Sequence, residues 1–252
     1  VHPLQAVAVA AAGVAAGLIN TVVGSGTLIT FPVLLAVGYP PLTANVSNGL
    51  GLVPGSLFGA IGYRDELAGQ RARVWRFGTA SVLGAVTGAV LLLVLPPKAF
   101  NAVVPILIVL ALVMVVAQPW LSRRLAARRV DGQQGSDPWW LWLGILGTGV
   151  YGGYFGAAQG VLLLGLMGVA LTESLQRING IKNVLAMLAN LVSGLVFVFV
   201  AHVSWIAVVL IAAGSAVGGV VGARIGRKLS PVVLRGAIVV IGLAALGKLL
   251  LT

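Results

Sequence analysis

The chain alternates long apolar runs with short polar clusters. A membrane-crossing helix needs about 20 apolar residues, or about 17–25 with tilt. Runs of that length fall at roughly 4–22, 43–63, 74–95, 99–118, 139–156, 179–201, 204–224 and 232–251. Two shorter runs remain, at 26–37 and 160–171, each behind a glycine-rich break. The first break is Gly24-Ser25-Gly26; the second extends from Gly152-Gly153 to Gly160. At about 1.5 Å per residue, a dozen residues cannot cross a hydrocarbon core roughly 30 Å thick. Both runs therefore read as half-helices or re-entrant segments, whose irregular backbone must be buried in protein or line a cavity. The pattern predicts an all-α polytopic membrane protein of about ten transmembrane or partly re-entrant helices.

Composition agrees with that reading. Hydrophobic residues make up 59% of the 252-residue chain and charged residues 8%, with a mean hydropathy of +1.07. A soluble domain carries roughly a quarter charged residues, so 16 basic and 5 acidic side chains are too few for a solvated surface. The net charge of +11 would suit a nucleic-acid binder. The basic residues, however, sit in short clusters between apolar runs, as they do in the cytoplasmic loops of membrane proteins. No nucleic-acid partner is expected. Cysteine is absent and His2 and His202 are the only histidines, which excludes thiolate chemistry and a histidine zinc site. No metal or cofactor is expected. The first apolar run has no basic segment ahead of it and reads as a retained helix.

Trp75, Trp120, Trp139, Trp140, Trp142 and Trp205 all fall at proposed span ends, where an interfacial aromatic belt would place them. With ten crossings, four basic clusters fall on one side. These are Arg64, Arg71, Arg73 and Arg76; Arg123, Arg124, Arg128 and Arg129; Arg177; and Arg224, Arg227, Lys228 and Arg235. That side is the cytoplasm, and both termini lie outside. The expected organisation is a first transmembrane repeat at 1–118, a cytoplasmic linker at 119–138 and a second repeat at 139–252. The expected location is a bacterial inner membrane, with homodimerisation open.

The two halves match at an offset of 134. Gly84, Val86, Gly88 and Ala89 overlay Gly218, Val220, Gly222 and Ala223; Pro97 overlays Pro231; Gly26 overlays Gly160; Asn45 overlays Asn179. Five segments per half is an odd number, so the halves are inverted relative to each other. The basic loop at 64–76 has a counterpart near 198–210 without Lys or Arg, as inversion requires. Inverted repeats with paired broken helices are the plan of secondary transporters, which bind their cargo near the midplane.

Three groups of residues could make a site. Asn20, Gly24, Ser25, Gly26 and Thr27 surround the first break, where free backbone N–H groups and a helix dipole favour an anion. Close helix packing by small residues is the competing explanation for the glycines. Asn45, Ser47 and Asn48 form the second group, against Asn179, Lys182 and Asn183 in the other half. Polar side chains inside spans are costly and face a bundle interior or a cavity. Lys182 either meets an anion or snorkels to the headgroups one turn away. Gln159 and Gly160 come from the second break, with Tyr154 as a weaker candidate. The five acids, Asp65, Glu66, Asp131, Asp137 and Glu173, all lie in or beside loops. A buried carboxylate relay is therefore not expected, and Glu173 reads as a solvated charge near Arg177. Gly214, Gly218, Gly222 and Gly226 make a helix-packing seam on one span, matched by Ala80, Gly84 and Gly88 on another.

The stretch Gly24-Ser25-Gly26-Thr27-Leu28 with Pro32, followed by Ala44-Asn45-Val46-Ser47-Asn48, resembles the N-terminal signature of the TauE/SafE sulfite-exporter family. Asn179-Gly180-Ile181-Lys182-Asn183 looks like the matching motif of the second half. The resemblance covers nearly the whole chain. The second break departs from it, reading Gly156-Ala157-Ala158-Gln159-Gly160, with Leu166 where the first half has Pro32. What the resemblance implies is a non-enzymatic carrier of a small anion, such as sulfite or an organosulfonate, across the bacterial inner membrane. Alternatives are an anion channel, a carrier of small carboxylates, an intramembrane enzyme or a scaffold.

Overall fold

The computed structural model describes residues 2–127, 137–225 and 231–251. Among them are eleven helices and no strand. They are α1 (Pro3–Val22), α2 (Thr27–Val37), α3 (Pro41–Gly51), α4 (Val53–Gly62), α5 (Arg71–Val94), α6 (Pro97–Ala127), α7 (Trp139–Tyr154), α8 (Gln159–Ala170), α9 (Leu175–Val200), α10 (Trp205–Ile225) and α11 (Pro231–Leu251). Five stretches, Pro3–Val22, Arg71–Val94, Lys98–Trp120, Leu175–Val200 and Trp205–Ile225, are long and apolar enough to cross a membrane. The short runs form the short helices α2 and α8.

Three boundaries differ from the sequence reading. The run at 43–63 is two helices that meet at Leu52. Pro54 has no N–H for the carbonyl of Leu50, so the ladder breaks there. Second, α9 begins at Leu175 rather than 179, because Ser174 caps it by accepting from the Arg177 amide at 3.3 Å. Third, α6 continues to Ala127, into the segment read as linker. Arg128, Arg129, Asp131, Arg227 and Lys228 lie outside the described residues.

Three pairs of helix starts keep the offset of 134. Pro41 and Leu175, Arg71 and Trp205, and Pro97 and Pro231 each open a helix, each pair 134 apart. The halves are nevertheless not the packing units. The α1 helix lies along α10, and its counterpart α7 lies along α5. Glycines set both contacts: a Cβ on Gly218 would sit 2.0 Å from the Val14 carbonyl oxygen, and one on Gly84 2.2 Å from that of Leu146. The predicted seams make close contacts at Gly214, Gly218 and Gly222 and at Gly84 and Gly88, each gripping a helix of the other half; Gly226 lies outside the described residues. Extending the pattern, α1–α4 pack with α10 and α11, while α5–α9 pack among themselves. We call these the outer-chain bundle (from both ends of the chain) and the inner-chain bundle. They meet where α3 and α4 cross α9 and where α6 meets α11.

Polar groups mark the two ends. At one end Arg73 pairs with Asp137 at 2.8 Å and Glu173 at 2.7 Å, and Arg177 pairs with Glu173 at 2.9 Å. The loops before α5, α7 and α9 therefore converge, as the shared basic side requires. Glu173 is consequently a member of an ion network, not the solvated charge expected from sequence. At the other end the Ser204 hydroxyl donates to the Tyr39 hydroxyl at 3.1 Å. Trp75, Trp120, Trp139, Trp140 and Trp205 are exposed near helix ends, where an aromatic belt lies.

Candidate functional site

Both broken helices end in the same way. The amides of Val23 and Gly24 donate to the Ile19 carbonyl at 2.7 and 3.0 Å, closing α1. Those of Phe155 and Gly156 donate to the Tyr151 carbonyl at 2.9 and 3.0 Å, closing α7. Gly24 and Gly156 then turn left-handed, at φ +91° and +74°. Past the turn, Ile29 and Thr30 donate to the Gly26 carbonyl, as Val161 and Leu162 do to that of Ala158. Every one of these correspondences runs at an offset of 132.

The local register thus slips two residues from the overall 134. By hydrogen-bond pattern the counterpart of Gly24 is Gly156, and that of Gly26 is Ala158, not Gly160, although Gly26 is right-handed at φ −57°. Ala158 itself stands at φ +59°, in a region that favours glycine. The second break keeps the turn although its sequence lacks the glycine run.

The two breaks touch. The Gly160 amide donates to the Gly24 carbonyl at 3.0 Å, and a Cβ on Gly24 would lie 2.4 Å from the Gly160 Cα. Only glycine at both positions permits this approach. On either side of the contact, Ser25 Oγ and Gln159 Nε2 are buried without a hydrogen-bond partner.

The polar side chains of the sequence groups around these breaks bond largely reciprocally between bundles. Asn45 donates to the Tyr154 carbonyl at 2.9 Å, at the end of α7. Lys182 is wholly buried and donates to the carbonyls of Asn20 and Thr21 at 2.8 and 2.9 Å, at the end of α1. Asn183 donates to the Thr21 carbonyl at 3.5 Å, and Asn179 to the Tyr63 hydroxyl at 3.3 Å. The Oδ1 atoms of Asn179 and Asn183 are buried without a partner. Lys182 therefore does not snorkel. Two of its three N–H bonds are engaged, and among the described residues no carboxylate pairs with it.

Other positions serve the frame. Asn20 donates to the Ser56 hydroxyl at 3.0 Å and accepts from the Gly26 amide at 3.5 Å. Asn48 donates to the Thr27 hydroxyl at 3.1 Å and accepts from that of Thr30. It thereby ties α2 to α3. Ser47 is buried away from the break; its hydroxyl accepts from the Ser204 amide at 2.9 Å. Thr21, next to Asn20 in the first group, belongs to the polar cluster, and Thr30, Ser56 and Tyr63 complete it and were missed from sequence. Each was a polar group inside an apolar run, too common a feature to stand out alone. A separate cleft of about 300 Å³ between α6, α7 and α8 is lined by Met114, Trp140, Val161, Leu162 and Leu166 among others. It offers no charged or amide side chain and does not suit a hydrated anion.

A model of the sulfite exporter TauE/SafE family matches residues 9–249. The chain belongs to this family. It is 24% identical to a probable membrane transporter protein of Haemophilus influenzae, over 94% of this chain and 91% of that one. It is 25% identical to the probable membrane transporter protein YfcA of Escherichia coli strain K12, over 93% and 86%. A Sinorhizobium protein, probable membrane transporter protein ORF9, is 27% identical over 93% and 88%. No solved structure matches the chain significantly. The protein is a multi-pass membrane transporter of the TauE/SafE type and not an enzyme. The bacterial relatives are consistent with an inner-membrane location.

Proposed function

We propose that this transporter carries a small oxyanion, sulfite or an organosulfonate foremost, through the junction of its two bundles. The observation that carries the reading is the pair of buried, unpartnered donors, Ser25 Oγ and Gln159 Nε2, beside the Gly24–Gly160 contact. A buried donor without an acceptor costs about 1–3 kcal/mol. An oxyanion bound beside this contact would supply each with an acceptor. The amides of Ser25 and Thr27 at the start of α2, and those of Ala157 and Ala158 before α8, add N–H groups at a positive dipole end, whereas those of Gly24, Gly26 and Gly156 are already held. The remaining N–H of Lys182 supplies positive charge nearby, and the Asn45, Asn48, Asn179 and Asn183 amides shape the walls. The Gly160 amide is held by Gly24 in this conformation, so it reaches an anion only if the breaks separate.

Alternating access then moves one bundle against the other. The moving units are the mixed bundles rather than the sequence halves, because α1 is gripped by α10 and α7 by α5. Lys182, Asn179, Asn183, Asn45 and Gly160 all bond across the bundle junction. These contacts would break and re-form in each cycle.

The test is counterflow of labelled sulfite, thiosulfate, sulfoacetate and small carboxylates in proteoliposomes. Saturable exchange of one sulfur oxyanion is expected. Ser25→Ala and Gln159→Leu should each lower its uptake by about 10–100-fold, the loss of one hydrogen bond to a charged group. Single-channel currents would overturn the carrier reading, and exchange limited to carboxylates would overturn the substrate class.

A further inference from the structure

The geometry points to a monovalent-cation site at the C-terminal end of α1, which the Lys182 ammonium fills in place of a dissolved coupling ion. This goes beyond the anion reading and does not rest on it.

A helix leaves its last four carbonyls without intrahelical donors. In α1 these include Asn20 and Thr21, because the Gly24 amide bonds to Ile19 and the chain then turns left-handed. The same end carries the negative pole of the helix dipole. Asn20 and Thr21 are buried, so water cannot be assumed to satisfy these oxygens. A cation is the natural partner, and half-helix C-terminal ends with unwound carbonyls hold monovalent cations in other broken-helix transporters. Here Lys182 Nζ sits 2.8 and 2.9 Å from the two oxygens. A third oxygen is at hand: Asn183 Oδ1 is buried, unpartnered, and belongs to the amide that contacts the Thr21 carbonyl.

The other half lacks this charge. The residue 134 before Lys182 is Asn48, and the terminal carbonyl of Tyr154 takes the neutral amide of Asn45. Among the described residues, the bond at the α7 end comes from a neutral amide, and the Lys182 bonds at the α1 end come from an ammonium. Among the described residues no carboxylate pairs with that cation, so the oxygens at the helix end are its counter-charge. The tether fixes the ammonium on α9, in the inner-chain bundle, while its oxygens belong to the outer-chain bundle.

The experiment compares thermal unfolding of purified wild type and Lys182→Ala in choline, sodium, potassium and ammonium chloride at equal ionic strength. Wild type should unfold at one temperature in all four salts. Lys182→Ala, with its ammonium removed, should unfold lower in choline and regain about 2–5 °C in at least one small cation, saturably. A variant indifferent to the cation, or a wild type with the same cation-specific rise, would overturn the inference. If Lys182→Ala yields no monodisperse protein in any salt, Lys182→Gln decides by the same two outcomes. No substrate is added, so a failure here leaves the oxyanion reading standing, and failed oxyanion exchange leaves this result intact.

Discussion

The amide of Gly160 donates to the carbonyl of Gly24 at 3.0 Å, and this bond joins the two broken helices back to back. A Cβ on Gly160 would fall 2.4 Å from the Gly24 Cα, a backbone atom with no rotamer to escape through. Gly160→Ala should therefore cost about 1–3 kcal/mol or more, the usual penalty of overpacking. Thermal unfolding in detergent checks it. Gly147→Ala is the control, since a Cβ there meets nothing within 4 Å; it should leave stability equal or slightly raised. Equal effects at both positions would refute the contact.

Ala158 turns left-handed at φ +59° without being glycine. A Cβ in that region costs roughly 1–2 kcal/mol. Glycine relieves the cost but loses more entropy on folding, about 0.4–1 kcal/mol. Ala158→Gly should therefore stabilise modestly, by up to about 1 kcal/mol, while Ala158→Val should destabilise. A fall in melting temperature for the glycine variant would count against the left-handed turn.

Asn48 links Thr27 and Thr30 on α2 to its own helix α3. Asn48→Ala removes both links and leaves two buried hydroxyls with fewer partners, at a cost of about 1–3 kcal/mol. Because α2 begins at the break, anion exchange should fall more steeply than stability. Transport per folded molecule, measured in proteoliposomes, separates the two effects; a fall in stability alone would remove Asn48 from the functional cluster.

Glu173 predicts a pH dependence. Burial pushes its carboxyl upward, but hydrogen bonds from Arg73 and Gln70 and the charges of Arg177 and Arg73 outweigh this and hold it below its ordinary 4.5. A carboxyl depressed on folding contributes stability that is fully present above its unfolded value and lost as pH falls through the folded one. The melting-temperature advantage of wild type over Glu173→Gln should thus be constant from neutral pH down to about 5 and shrink below 4.5. An advantage that grows on acidification would reverse the sign and defeat the network.

Much of the fold could be read along the chain. Runs of apolar residues near span length located most helices, since a bilayer sets a length that water-soluble folding does not. Pro54 alone does not fix whether the run at 43–63 breaks, because a proline is tolerated or kinks according to its surroundings. The site was legible as a list. Asn45, Asn48, Asn179, Lys182 and Asn183 stood out because amides and ammonium groups are costly in spans. Ser47 stood out equally, and it faces Ser204 instead.

The amino-acid sequence by itself determined the solvent of this protein, its helical class and its family. Those properties follow from composition, local period and short motifs, each contained in a contiguous stretch. Only the tertiary structure decided the rest. The two-residue slip between Gly24 and Gly156, the grip of α10 on α1, and the seat of Lys182 on the Asn20 and Thr21 carbonyls are contacts between residues far apart in the chain. A buried lysine and a snorkelling one have the same neighbours in sequence. What separates them is whether helix-end oxygens converge on the ammonium, and that depends on how two bundles meet.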